Sequence, residues 1–156
     1  MKTTFCGVIP PMLTIFNEDG SISWDGNKIL IDYLIKNKVH GIFVLGSSGE
    51  FNHLTIEERM RFAEFAVRYI DGRVPVLVGT GSSNTKTSVE LSIHAKSIGA
   101  DGVVVVCPYY WNLSDENLYH HFATIARSVD IPIIIYNFPS VTGQNISPDL
   151  VLRLAS

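Results

Sequence analysis

The chain has 156 residues, 46% of them apolar, and a formal charge of −3 at pH 7. This length and apolar fraction support a buried core and exclude a disordered segment. Twelve Lys and Arg, spread along the sequence against fifteen acidic residues, argue against nucleic acid or an anionic membrane as main partner and leave a small molecule. No apolar run approaches the roughly 18 residues of a membrane span, and residues 1–5 lack the long apolar stretch of a secretory signal, so a cytoplasmic location is expected. Cys6 and Cys107 lie in separate apolar runs without CxxC spacing. They read as two buried, reduced thiols rather than a disulfide or metal pair.

In chain order, short runs rich in Val, Ile and Leu alternate with amphipathic stretches, each run bounded by Gly or Pro. Residues 8–15 are the first strand candidate, although Pro10 and Pro11 remove two backbone donors and suit an edge, a bulge or a ligand-facing bend. A helix is predicted from near Trp24, and a second strand over 42–45. The next helix opens on a capping box, Thr55-Ile-Glu-Glu58, with Ile56, Met60, Ala63, Val67 and Ile70 on one face. Strands over 76–78, 103–107 and 133–136 follow, separated by helices from near Thr85 and Ser114, with a last helix from near Ser147.

The strands are apolar on both faces, which marks parallel strands covered by helices. A repeat agrees: His40-Gly-Ile-Phe-Val-Leu45 resembles Asp101-Gly-Val-Val-Val-Val106, and Val74-Pro-Val-Leu-Val78 resembles Ile131-Pro-Ile-Ile-Ile135, at offsets of 61 and 57 residues. The repeating object is a βαβα pair. Such pairs build a closed (β/α)8 barrel or an open doubly wound sheet. Polar clusters follow several strand ends in succession, at residues 46–50, 79–84, 108–112 and 137–143, as a ring of βα loops requires. The barrel is therefore the expected fold class. Gly79-Thr-Gly-Ser-Ser-Asn84 carries Asn where the third glycine of a dinucleotide fingerprint belongs, so a Rossmann reading has little support.

Three clusters carry candidate chemistry, and each has a plain structural alternative. In Gly46-Ser-Ser-Gly-Glu50, the glycines let backbone N–H groups approach a ligand while the Ser47 and Ser48 hydroxyls donate to a carboxylate; the alternative is a Gly-rich turn with a helix cap. Tyr136-Asn-Phe-Pro139 ends an apolar run on a phenol suited to proton relay, or on a core tyrosine with its tip in water. Pro108-Tyr-Tyr-Trp111 offers aromatics for loop packing, substrate contact or a subunit interface. Elsewhere, His40, His53, His94, His120 and His121 are scattered and read as surface or capping residues, with the adjacent pair about 100° apart on one helix, which fits no metal cluster. Glu50 reads as a structural hold on its loop, ionised by backbone N–H bonds.

Together and in this order, at the ends of the second, fourth and fifth predicted strands, the three clusters resemble the pyruvate-dependent class I aldolase family of dihydrodipicolinate synthase and N-acetylneuraminate lyase. Gly79-Thr-Gly81, Ala100-Asp-Gly102, Pro108-Tyr-Tyr110 and Tyr136-Asn-Phe-Pro-Ser-Val-Thr-Gly143 extend the resemblance from about Phe5 to Ser156. It covers the whole chain but only the family's first half.

The resemblance implies an α/β fold, the (β/α)8 TIM barrel, with residues 1–156 as the N-terminal part of a single domain holding about the first five βα units. It implies pyruvate bound as a Schiff base on a lysine, its carboxylate held by Ser47 and Ser48, and Tyr136 as general acid and base. In the synthase branch a hydroxyl matching Ser48 relays protons between Tyr136 and a tyrosine matching Tyr110 lent by a neighbouring subunit. A homo-oligomer, a tetramer by family resemblance, is thus expected. The chemistry asks for no cofactor and no metal.

At Val141 the synthase branch places an arginine that grips its aldehyde's carboxylate; without a guanidinium an acidic aldehyde loses its bidentate partner. Residues 138–143 with Tyr109-Tyr-Trp111 instead resemble the 2-keto-3-deoxygluconate type of aldolase. The expected activity is reversible cleavage of a 2-keto-3-deoxy sugar acid to pyruvate and a hydroxyaldehyde. The alternatives are a synthase-type condensation of pyruvate with an aldehyde, and a non-catalytic fragment that binds keto acids or serves assembly. None of Lys2, Lys28, Lys36, Lys38, Lys86 and Lys96 ends an apolar strand, and in the family the imine lysine lies on the next strand, beyond the helix beginning at Ser147. The chain is accordingly expected to be the front part of a longer enzyme, inactive alone, with an open edge at the fifth predicted strand.

Overall fold

A computed structural model describes residues 5–156. Lys2 and most of the N-terminal stretch tested for a secretory signal lie outside the described residues. Four parallel strands, β1 (Ile42–Val44), β2 (Val76–Gly79), β3 (Gly102–Val106) and β4 (Ile133–Tyr136), pair in the order β1-β2-β3-β4. Helix α1 (Trp24–Lys36) precedes β1, and α2 (Ile56–Ile70), α3 (Thr85–Ser97) and α4 (Asp115–Ser128) connect successive strands. A short α5 (Pro139–Thr142), which the sequence pattern did not suggest, and α6 (Pro148–Ala155) follow β4. Sheet order that follows chain order without reversal is that of a barrel wall; a doubly wound sheet reverses at a switch point. No described helix is long and apolar enough to cross a membrane.

Each long helix begins where a short polar side chain can accept an orphan backbone N–H. Ser23, Asn84, Ser114 and Ser147 cap α1, α3, α4 and α6, and Thr55 with Glu58 forms both halves of the capping box on α2. The core lies between the sheet and these helices. Val44, Val78, Val103 and Val105 meet Phe62, Ala66, Ile70, Ala95, Leu118 and Ile125, all buried. Each large side chain among them contributes about 1.5–3 kcal/mol of burial. Helix α2 is rotated from the expected face: Arg59, Phe62, Ala63, Ala66 and Ile70 are buried, whereas Ile56 is exposed. The wider stripe follows the two large rings, Phe62 and Phe65, which pack with Trp24 of α1.

The expected first strand does not form a ladder. Its contact with β1 is a single bridge, Pro11 to Phe43, with Met12 N donating to Phe43 O at 2.7 Å and Phe43 N to Pro10 O at 3.1 Å. Pro10 and Pro11 have no N–H to give, so regular pairing stops there while the segment keeps its place beside β1. Strand bounds also shift by a residue: Leu45 has left β1 in a left-handed conformation, and Gly79 and Gly102 join β2 and β3. Cys6 is exposed, contrary to the expectation of two buried thiols; Cys107 is buried, and burial pushes its thiol up to about 11.

The sequence repeat has a structural meaning. His40 and Asp101, each just ahead of a strand, accept a backbone N–H from the preceding segment: Val8 N donates to His40 Nδ1 at 2.9 Å, and Val76 N to Asp101 Oδ2 at 2.8 Å. Pro75 and Pro132 likewise both accept from the neighbouring strand, from Ile42 N and Val103 N, each at 2.9 Å. The repeated residues therefore set register at the N-terminal ends of the strands.

At the other end, β2 closes tightly on β1. A Cβ at Gly79 would overlap the Leu45 carbonyl oxygen, which is backbone and has no freedom to withdraw. Gly79→Ala is expected to cost about 3 kcal/mol, at the upper end for overpacking. The measurement is the urea midpoint, and an unchanged midpoint would contradict this packing.

Candidate active site

The C-terminal ends of the strands bring together side chains from four segments. Leaving β1, the chain passes through Leu45 (φ 59°), a 3-10 turn at Ser47–Gly49, Glu50 (φ 56°) and a second 3-10 turn at Phe51–His53. Non-glycine residues held in left-handed backbone cost on the order of 1–3 kcal/mol each and persist where the surroundings over-determine them. Here the surroundings are close: Thr14 Oγ1 donates to Gly49 O at 2.7 Å, and a Cβ at Gly49 would lie 2.9 Å from Met12 O. The Glu50 carboxylate, expected to hold this loop, is exposed and forms no hydrogen bond among the described residues. Thr14 and the backbone do that work instead. Gly49 N and Glu50 N close the turn onto Gly46 O and Ser47 O, at 3.0 and 3.1 Å. The N–H groups of Ser47 and Ser48 donate to no backbone carbonyl among the described residues and stand at its open N-terminal end.

Ser47 and Tyr136 line one small, tight cavity, with Phe43, Phe51, Gly79, Gly81, Val104 and Val106 among its walls. Gly81 must be glycine there, since a Cβ would lie 2.9 Å from Val106 N. Tyr136 is half-buried, stacks on Phe138 at 5.5 Å between ring centroids, and its hydroxyl has no hydrogen-bond partner among the described residues. Ser47 and Phe51 also belong to a wider, outer cavity with Asn52, Tyr109, Tyr110 and Val141. Ser47 is thus shared by both spaces. Ser48 is exposed and lines neither, so the structure brings Ser47, and not Ser48, into one space with Tyr136.

The aromatic cluster divides. Tyr109 packs edge-on against Phe51 at 6.2 Å, as loop packing predicts, whereas Tyr110 and Trp111 are 85% and 74% exposed and meet only edge to face at 5.2 Å. Tyr110 also holds φ at 88°. Val141, on α5, is exposed at the mouth of the outer cavity. Its helix is tied to the rest by Gln144, which accepts from Leu113 N at 2.9 Å and donates to Pro108 O at 2.5 Å. None of Lys28, Lys36, Lys38, Lys86 and Lys96 lines either cavity. A separate groove between α1 and α2, lined by Trp24, Lys28, Arg61, Phe65 and Tyr69, receives no strand-end residue, and ligands of parallel α/β folds bind at strand C-terminal ends.

The residue that sequence reasoning missed is Arg59, which is 3% exposed on the apolar face of α2. Its Nη2 donates to Gly79 O at 3.1 Å and Gly81 O at 2.9 Å, and its guanidinium lies 4.9 Å from the Phe51 ring centroid. Burial lowers its pKa to about 10, which leaves it charged at neutral pH. An arginine three and four positions before Phe62 and Ala63, inside an apolar stripe, was the available signal.

A model of the dihydrodipicolinate synthetase family matches residues 4–156. The chain belongs to that family. Among its relatives, two Escherichia coli K12 proteins are named as candidate aldolases: YagE, for 2-dehydro-3-deoxy-D-gluconate, is 52% identical over 97% of this chain and 50% of its own length, and YjhH, for 2-dehydro-3-deoxy-D-pentonate, is 46% identical over 97% and 50%. The 4-hydroxy-tetrahydrodipicolinate synthase of Pelobacter propionicus is 45% identical over 97% of this chain and 52% of its own. The crystal structure of YagE in complex with pyruvate superposes with a TM-score of 0.95 at 51% identity, over 98% of this chain and 51% of that one. The dihydrodipicolinate synthase of Aquifex aeolicus gives 0.93 at 44% identity, over 96% and 50%. The chain thus spans about half the length of the relatives it matches, and its parallel α/β architecture is that of an incomplete TIM barrel.

Within this family architecture the loop after β2 is fastened from behind by a buried histidine. His121 of α4, expected at the surface, is 2% exposed, with Nδ1 2.9 Å from Thr85 Oγ1 at the start of α3 and Nε2 buried without a partner. Burial pushes its pKa down to about 4, so the ring is neutral in the folded protein. As pH falls from about 6.5 to about 4, the unfolded chain binds a proton that the folded chain refuses, and stability present above that window is lost across it. His121→Asn is expected to shrink the difference in unfolding free energy between pH 7 and pH 4. Equal differences in the two proteins, measured by urea titration, would count against this account.

Proposed function

We propose that these residues form the pyruvate-holding part of a Schiff-base aldolase that reversibly cleaves a 2-keto-3-deoxy sugar acid to pyruvate and a hydroxyaldehyde. The observation that carries it is the meeting of Ser47 and Tyr136 in one tight cavity at the strand ends, with an apolar residue, Val141, in the outer cavity that Ser47 also lines. The Ser47 hydroxyl and the free N–H groups at the open end of its turn suit the substrate's carboxylate, a charge-assisted arrangement. The Tyr136 hydroxyl, without a hydrogen-bond partner among the described residues, passes its own proton to the relay hydroxyl as its oxygen takes the proton of the C4 hydroxyl and the C3–C4 bond breaks. The bonding pair flows into the iminium and leaves an enamine, which protonation at C3 and hydrolysis convert to pyruvate and free amine.

The amine is assigned to a lysine beyond residue 156, since no described lysine lines the cavity. We assign the relay hydroxyl to Ser47, and Tyr110, exposed and projecting from its loop, to contact with a second copy of the enzyme in a homo-oligomer. The names of YagE and YjhH support the keto-sugar acid, and the YagE complex supports pyruvate. A synthase-type condensation with aspartate semialdehyde is less well served, because Val141 offers that aldehyde's carboxylate no cation. Soluble substrates and two free thiols fit a cytoplasmic setting.

Borohydride reduction with pyruvate is the direct test. The full-length enzyme is expected to gain the mass of a reduced pyruvate imine and residues 1–156 alone are expected to gain none. Absence of the adduct in the full-length enzyme would reject the mechanism.

Tyr136→Phe in the full-length enzyme is expected to lower turnover of a keto-sugar acid by roughly 10²-fold or more while retaining imine formation. Unchanged turnover would remove Tyr136 from proton transfer. In the same assay, aspartate semialdehyde reacting faster than the sugar acid would contradict the substrate assignment.

A further inference from the structure

A buried charge stands behind the wall of the cavity, without a counter-ion among the described residues. Arg59 touches three residues that line the space, donating to the carbonyls of Gly79 and Gly81 and lying across Phe51. Its guanidinium is therefore one residue layer from the cavity. Among the described residues the arginines paired with carboxylates are Arg68, Arg73 and Arg153; Arg59 has no such partner, and its Nε is buried with no hydrogen bond. A buried cation is costly unless paired, and an apolar stripe on α2 would pack as well with methionine or leucine at that position. Two backbone carbonyls and a ring face offset part of this cost by their dipoles and quadrupole. They supply no net negative charge.

We propose that Arg59 is an electrostatic positioning residue, whose unpaired buried guanidinium acts through the Gly79–Gly81 wall as the standing counter-charge for the carboxylate of the bound α-keto acid. The proposal rests on the keto-acid reading of the cavity. In a dry interior a cation one residue layer from an anion is screened little, so it favours a charged ligand over a neutral isostere without touching either. The same two hydrogen bonds hold the carbonyls of Gly79 and Gly81 turned toward α2 and away from the ligand, which would otherwise face their negative ends.

The test compares pyruvate with pyruvamide, its neutral analogue, by concentration-dependent borohydride trapping in the full-length enzyme. Arg59→Gln keeps a donor for the carbonyls and loses the charge; it is expected to weaken pyruvate by roughly tenfold and to leave pyruvamide nearly unchanged. Arg59→Lys, which keeps the charge, is expected to retain most of the preference. Arg59→Met serves in place of Gln where Gln does not fold. Equal loss for both ligands would make Arg59 a structural tie only, and no loss for either would also overturn the proposal. Failure of the wild-type enzyme to trap pyruvate would instead sink the keto-acid reading itself.

Discussion

The backbone of Leu45 lies where a side chain at position 79 would have to be. This close approach of the β1 exit to the β2 end fixes how the chain leaves β1, and nearly everything in the site follows from it. Leu45 takes a left-handed conformation while buried, the chain turns at once into the Ser47–Gly49 helical turn, and Ser47 is delivered to the same small space as Tyr136 of β4. Strands three places apart in the sheet are thereby linked through one cavity. Strain of this kind is stable only where neighbours hold it, and Thr14 and Met12, from the segment interrupted by prolines, press on Gly49 from beneath. The prolines that spoil the first ladder thus leave a bend whose following residues support the loop.

Arg59 ties the helix layer to this arrangement. Helix α2 buries a guanidinium where a bundle of purely structural helices would bury a methyl group, and spends its hydrogen bonds on the two glycine carbonyls that border the cavity. The helix stripe, the strand end and the cavity wall are one object. His121 does the equivalent task from α4, holding the start of α3 through Thr85. Both side chains lie in the second layer, where rigidity is conferred on the residues that face a ligand.

The sheet is not equally enclosed along its width. Every residue of β2 and β3 is buried, whereas all four of β4 are half-exposed and Val151 and Leu152 of α6 show apolar surface. Relatives about twice as long share the same architecture over this half. Tyr136, at the tip of β4, shares the half-exposure of its strand.

Much of this was legible in the residues themselves. Apolar runs without alternation dictate parallel strands, Ser, Thr and Asn ahead of amphipathic stretches dictate helix starts, and the His40 and Asp101 repeats mark strand beginnings, because these are local consequences of hydrogen-bond supply and burial. The family was legible too, through three clusters in a fixed order. What only the tertiary structure decided were the choices that depend on a distant neighbour: that Ser47 rather than Ser48 shares a cavity with Tyr136, that Arg59 and His121 are buried, and that Cys6 and Glu50 are exposed. A hydroxyl one position along a turn points elsewhere by a third of a revolution, and a charge on a helix goes inside only where carbonyls from another strand receive it. Spacing along a chain carries neither fact, since both are set by contacts across tens of residues.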